Sequence, residues 1–191
     1  MVNPPVESLS QTLNYHELDW GLFEHLCRRL VSKTEPQATD VRLYLSGGYK
    51  QDGIDGYAYD PNDGKYIAFQ CKRYKTFAAA NVRKAVDKFL VGNFVNKSKK
   101  FILCVTARID DTYESEIAQQ RERLRAQNIT FITWDQTGLN ALLKNEAQLV
   151  YEFFDGCKEP NWVRRFCGEN KVKDIRKPVS LRDYLAPTAF V

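Results

Sequence analysis

The sequence predicts an α/β domain, a mixed central sheet flanked by helices. Three observations carry that expectation. Hydrophobic spacing switches in the order helix, three strands, helix, strand, helix, strand, helices. A Pro-Asn-Asp-Gly reversal at 61–64 joins two strand-like segments. Two continuous apolar runs of strand length, KKFILCVTA (99–107) and ITFITW (129–134), have the character of central strands buried on both faces.

Each element follows from its residues. In 16–33, Leu18, Leu22, Phe23, Leu26, Cys27, Leu30 and Val31 recur at helical spacing and form one wide apolar arc, which Pro36 ends. Segment 40–47 alternates Val41, Leu43 and Leu45 with polar partners, as a half-buried strand does. Strands are expected at 53–60 and 65–74. Residues 77–95 form a helix with Val82, Val86, Phe89 and Leu90 on one side and Arg83, Lys84 and Lys88 on the other. A polar helix over 112–127 follows, then helices near 137–145 and 146–155 and a short one at Trp162–Phe166, whose aromatic pair reads as core. The 191 residues suffice for one well-packed domain and not comfortably for two. The expected organisation is an extension at 1–15, a folded domain at 16–167 and a basic tail or linker at 168–191.

Composition narrows the function. No apolar run approaches the roughly 20 residues that span a bilayer, and the start MVNPPVESLSQ lacks the layout of a signal peptide. A cytoplasmic protein without a membrane partner is expected. The five cysteines are irregularly spaced with no CxxC, so a structural zinc site is not expected. The three in apolar segments read as small hydrophobes. The two histidines, His16 and His25, sit in one helical segment without a nucleophile motif, which argues against Ser-His or Cys-His catalysis.

Charge is segregated. Residues 65–100 hold ten Lys/Arg and one Asp/Glu, whereas residues 1–64 hold five and ten. A basic block beside an acidic one suggests a polyanion-binding surface next to a cation-binding cluster. A solvated basic helix face gives the same pattern.

The hairpin gathers the chemistry. Residues two apart on a strand share a face, so Asp55, Tyr57 and Tyr59 point one way and Ile54 and Ala58 the other. On the next strand Tyr66, Ala68, Gln70 and Lys72 share a face, with Ile67, Phe69 and Cys71 behind. A reversal centred between Asn62 and Asp63 sets Asp55 opposite Gln70. Cross-strand neighbours have Cβ atoms about 4.5–5.5 Å apart, close enough for both oxygens to bind one divalent cation. Lys72 then stands beside that ion. Oxygen donors without histidine or thiolate favour magnesium or manganese over zinc. A bound metal, with a lysine to orient water or neutralise charge, is what phosphodiester hydrolysis needs.

Residues 47–74, GGYKQDGIDGYAYDPNDGKYIAFQCKRY, resemble the core motif of the PD-(D/E)XK nuclease superfamily, and its Mrr-like restriction endonuclease branch in particular: a Gly-rich approach, a GxD strand, then QCK followed by aromatic and basic residues. The resemblance implies a restriction-endonuclease-like αβββαβ core over about 16–134 and a nuclease domain within 16–167. It assigns the motif's acid to Asp55, its central acidic-or-amide position to Gln70, its lysine to Lys72 and the first-helix glutamate to Glu24. Asp55, Gln70 and Glu24 are then the metal ligands. Gln70 departs from the commoner Glu or Asp and removes a unit of charge; Gln is usual in the Mrr-like branch. The ending LVYEFFDG…WVRRF resembles the tail of such domains where they precede STAND-type NTPases in bacterial anti-phage systems, which implies a C-terminal ATPase or sensor domain in a longer chain.

The expected activity is thus Mg²⁺-dependent cleavage of double-stranded DNA, in bacterial defence against phage or foreign DNA, by a homo-oligomer able to cut both strands. Gln51, Arg73, Lys75, Arg83, Lys84 and Lys88 are the expected nucleic-acid contacts, with Gln51 equally readable as a loop residue. Tyr57 and Tyr74 serve stacking or packing. Asp52, Asp60 and Asp63 read as turn residues. Competing readings are a non-catalytic DNA-binding scaffold of the same fold, and a junction-selective nuclease or RNase.

Overall fold

A computed structural model of the chain describes residues 12–44, 52–74, 76–154, 160–173 and 175. It divides into two compact units, Asn14–Asn140 and Met1–Leu13 with Ala141–Val191.

The first unit is built on a five-stranded sheet in the order β1-β2-β3-β4-β5. Its strands are β1 (Thr39–Leu43), β2 (Gly56–Asp60), β3 (Lys65–Lys72), β4 (Ser98–Val105) and β5 (Thr130–Trp134). The β1–β2 and β2–β3 pairs are antiparallel, and β3–β4 and β4–β5 are parallel. Helix α1 (Trp20–Thr34) precedes the sheet, α2 (Ala79–Leu90) connects β3 to β4, and α3 (Glu114–Arg125) connects β4 to β5. The mixed sheet flanked by helices is the predicted architecture, and the order α1-β1-β2-β3-α2-β4 is the αβββαβ core.

The β2–β3 hairpin forms where the turn chemistry puts it. Gly64 takes a φ of 68° and donates its N–H to Asp60 O at 3.0 Å. Asp60 and Asp63 accept from the Asn62 and Lys65 N–H groups at 2.9 and 3.1 Å. Both carboxylates also receive Lys99 from the start of β4. Tyr57 pairs with Ala68 and Asp60 with Lys65, the register the turn centre predicts.

β4 has parallel neighbours along both edges, and its residues Phe101–Val105 are buried. Phe101 stacks between Phe89 of α2 (centroids 4.2 Å apart) and Phe131 of β5 (5.8 Å). Ile54, Ala68, Val82, Val86, Leu103, Ile117 and Leu124 complete this cluster beneath α2 and α3. α1 packs against β1, β2 and β3 and buries Phe23, Leu26, Cys27, Leu30 and Val31.

Two expectations are corrected. The helix expected over 77–95 ends at Leu90, because the chain at Gly92 passes so close to Asp52 O that a Cβ there would lie 2.2 Å away; a 3₁₀ turn, Val95–Lys97, then leads into β4. Ile54 does not face away from Tyr57. It joins the cluster beneath α2, against which Tyr57 also packs, because Gly53 at φ 73° breaks the strand's alternation ahead of β2.

α4 (Gln136–Leu143) leaves the first unit. In the second, α5 (Ala147–Phe153), α6 (Pro160–Cys167) and α7 (Glu169–Val172) follow. Leu149, Val150, Phe153, Val163 and Phe166 are buried, and Trp162 stacks on Phe166, in keeping with a core role.

Candidate active site

The segment that brings Asp55 to the sheet is shaped by two glycines. A Cβ on Gly53 would lie 2.6 Å from both Lys88 C and Phe89 N of α2, and a Cβ on Gly56 would lie 2.1 Å from the Phe69 ring. Only glycine lets the chain pass between α2 and β3 here. The GxDG spacing therefore has a steric cause.

Asp55 sits just before β2, between β1 and β3. Its carbonyl accepts from Tyr44 N–H at 2.8 Å and its N–H donates to Phe69 O at 2.9 Å. Its Oδ2 accepts the Cys71 N–H at 2.7 Å. The ladder's last regular pair is Gly56 with Phe69, so Asp55 does not pair with Gln70 as a plain cross-strand partner. It bonds instead to the residues on either side of Gln70. Asp55 thus straddles the backbone of Gln70 on β3.

Burial perturbs the acids. Asp55 is 4 % exposed, and desolvation pushes its carboxyl above the usual carboxylate range against the opposing pull of Lys72, the Cys71 N–H and Lys88. Glu24, on α1, is raised by desolvation and by the Asp55 charge, against the opposing effects of Trp20 and Lys72. The charges of Lys72 from β3 and Lys88 from α2 thus act on Asp55, and those of Asp55 and Lys72 on Glu24 from α1.

Gln70 is buried, and its Oε1 has no hydrogen-bond partner. Among the described residues the only other buried side-chain atom in that state is Ser98 Oγ, at the start of β4. An unsatisfied buried acceptor costs roughly 1–3 kcal/mol, and persists where function requires it. The free amide oxygen of Gln70, the carboxylate of Asp55, which bonds to the residues on either side of Gln70, and Glu24, which feels the Asp55 charge, would together make a donor set of hard oxygens. It fits a divalent cation such as magnesium or manganese.

Trp20 was not singled out by sequence reasoning. Its indole N–H donates to Glu24 Oε1, and the Lys72 ammonium stands 5.7 Å from its ring centroid. The available signal was its position one helical turn before Glu24.

The basic block is divided between structure and surface. Arg83 is committed to Glu116 of α3 through two hydrogen bonds, at 3.1 and 2.6 Å. Lys100 pairs with Glu35, and Arg73 donates to His16 O at 2.8 Å. Lys84 and Lys88 are exposed on α2. Gln51 and Lys75 lie outside the described residues.

No helix among the described residues is long and apolar enough to cross a membrane. A search of curated proteins finds no match to the chain. The Mrr_cat family model, described as restriction endonuclease, matches residues 15–143, from the turn ahead of α1 to the end of α4 and so across Glu24, Asp55, Gln70 and Lys72. The chain belongs to this restriction endonuclease family, within the PD-(D/E)XK nuclease superfamily, and carries a nuclease domain that acts on DNA.

Proposed function

We propose that the domain hydrolyses phosphodiester bonds of double-stranded DNA with a divalent cation, magnesium or manganese, held by Asp55, Gln70 and Glu24. The observation that carries this reading is the buried, unpartnered Gln70 Oε1 on the strand residue that Asp55 brackets. Superfamily members generally use divalent metals. When bound, such an ion lowers the pKa of water and stabilises charge on the phosphoryl oxygens.

The chain's own groups supply the rest. Asp55 is immobilised by backbone bonds to β1 and β3, so its oxygens are presented without further ordering. Lys72 stands over the Trp20 ring, and its charge acts on both acids. It is suited to hold the attacking water or the developing negative charge at its ammonium. Trp20 fixes one oxygen of Glu24 and leaves the other for the cation. The exposed Lys84 and Lys88, together with Arg73 and Lys75, meet backbone phosphates, with Gln51 lining the groove. Arg83 contributes by bracing α2 on α3 rather than by touching DNA. The domain works as a homo-oligomer, since cutting both strands needs two sites. It serves cytoplasmic defence against foreign DNA, under the control of an ATPase or sensor domain.

The test is cleavage of supercoiled plasmid with Mg²⁺, Mn²⁺ or EDTA, for wild type, Asp55→Ala and Lys72→Ala. Metal-dependent linearisation by wild type alone supports the reading. Equal nicking by all three sinks it, and binding without cleavage moves the assignment to a DNA-binding scaffold. Branched DNA and RNA in parallel separate a junction nuclease or RNase.

A further inference from the structure

Directly behind the nuclease strand lies a group of side chains that hydrolysis does not use. Cys27 from α1, Cys71 from β3 and Cys104 from β4 are each completely buried. Their three sulfurs all lie within 4.8 Å of one another. Cys71 and Cys104 are register partners across the parallel β3–β4 ladder, and α1 lays Cys27 over them. In sequence they stand 44 and 33 residues apart, a separation no metal-binding motif resembles.

We propose that Cys27, Cys71 and Cys104 form a binding site for a soft, thiolate-seeking ion of the monovalent copper class, and that filling it switches the nuclease off. Three sulfurs around one ion at about 2.3 Å each stand about 4 Å apart. The observed spread needs a contraction of less than about 1 Å to reach that arrangement. The group holds no histidine or carboxylate among the described residues. Zinc, which takes four ligands in structural sites, is therefore poorly served. Monovalent copper accepts thiolate sulfur and tolerates fewer ligands. Binding displaces a proton to solvent from each thiol that becomes a thiolate, and no electron is transferred when the metal arrives as Cu(I).

The switch follows from where Cys71 stands. Its N–H holds Asp55 Oδ2, and its chain neighbours are Gln70 and Lys72. Drawing its sulfur towards Cys27 moves the strand residue that fixes the geometry of all three. This second half rests on the nuclease reading above; the binding half does not.

The experiment uses reduced, full-length protein under anaerobic conditions, titrated with Cu(I) against the chromogenic chelator bathocuproine disulfonate. Wild type is expected to withhold one ion per chain. Cys27→Ser, Cys71→Ser and Cys104→Ser are each expected to lose at least about tenfold in affinity. The double variant Cys157→Ser/Cys167→Ser should retain it. Circular dichroism establishes that each variant is folded, and X-ray absorption of loaded wild type should report a shell of three sulfurs. Surrender of all copper by wild type, loss of binding in the double variant, or a shell of fewer sulfurs overturns the site. In Mg²⁺, copper-loaded wild type should then cleave plasmid at under about a tenth of its copper-free rate, while folded Cys27→Ser cleaves normally and ignores copper. Equal inhibition of both proteins overturns the switch. A wild type inactive before copper is added refutes the nuclease reading and leaves the binding result standing.

Discussion

Replacing Gly53 by alanine asks whether the approach to Asp55 is as tightly dictated as its surroundings imply. The added methyl would lie 2.6 Å from Lys88 C and Phe89 N and 2.7 Å from Lys88 O, all backbone atoms of α2 that no rotamer change can move. Overpacking of this kind costs about 1–3 kcal/mol. The φ of 73° adds the left-handed penalty of an L-residue, about 1–2 kcal/mol. Together they predict a loss of about 2–5 kcal/mol, which in a chain of this size lowers the melting temperature by about 4–20 °C. The functional effect is separate. Relief of the clash pushes residues 53–55 away from α2 and loosens Asp55 from Phe69 O and the Cys71 N–H. A misplacement of about 1 Å costs a reacting site on the order of a hundredfold in rate. Thermal melting by circular dichroism and plasmid cleavage in Mg²⁺ measure the two effects. Gly138→Ala is the control, since its Cβ meets nothing closer than 3.4 Å and its φ is not positive. Gly53→Ala melting with wild type and cutting at the wild-type rate would refute the steric reading of the motif.

The acids, the amide and the basic surface give three further predictions. Asp55 has a folded-state pKa raised above its unfolded value, so its ionisation in the fold is unfavourable at neutral pH and the penalty disappears as pH falls below the ordinary carboxylate pKa. Asp55→Asn should therefore melt above metal-free wild type at pH 7, with the advantage fading in acid, and should lose the gain of about 2.7 kcal/mol that wild type obtains from metal at a hundred times its Kd; a variant less stable at pH 7 contradicts the desolvation account. Gln70→Glu should reach half-maximal cleavage at lower Mg²⁺ and melt lower without metal, because it adds a third carboxylate to the site; an unchanged metal dependence shows that position 70 is no ligand. Lys88→Ala should weaken DNA binding and reduce the salt slope by about one, whereas Arg83→Ala should lower the melting temperature with little change in that slope; the reverse pattern would make Arg83 the phosphate contact.

The parts legible in the sequence were those set by local chemistry. Pro61-Asn62-Asp63-Gly64 dictates its own reversal, so hairpin and register followed, and with them the placing of Asp55 alongside the 69–71 stretch of β3. Alternation failed where tertiary contact intervenes. Close passage against α2 twists Gly53, which turns Ile54 inward and leaves Asp55 outside the ladder. The charge pattern could not reveal that Arg83, Lys99 and Lys100 spend themselves on Glu116, Asp60, Asp63 and Glu35. Those acids come from other elements, and only the fold brings them near. The three convergent thiols were invisible for the same reason.

What sets the site apart physically is that its groups are ill at ease together. Asp55 and Glu24 are held above their usual pKa range, and Gln70 Oε1 has nothing to bond. By contrast Asp60, Asp63 and Glu35 each have a lysine, and Asp40 of β1 has Arg42. A chain selected for stability alone would protonate, pair or replace the first set, since apolar residues of similar shape cost less than a half-satisfied network. Asp55, Gln70 and Glu24 gather where β3 is covered by α1 on one face and α2 on the other. A rigid central strand can carry unsatisfied groups that a surface loop would relax by moving. On the proposed reading, the discomfort of Asp55, Gln70 and Glu24 is what a bound cation would relieve. The same burial that destabilises them would, on that reading, make them bind a cation more strongly than exposed oxygens do.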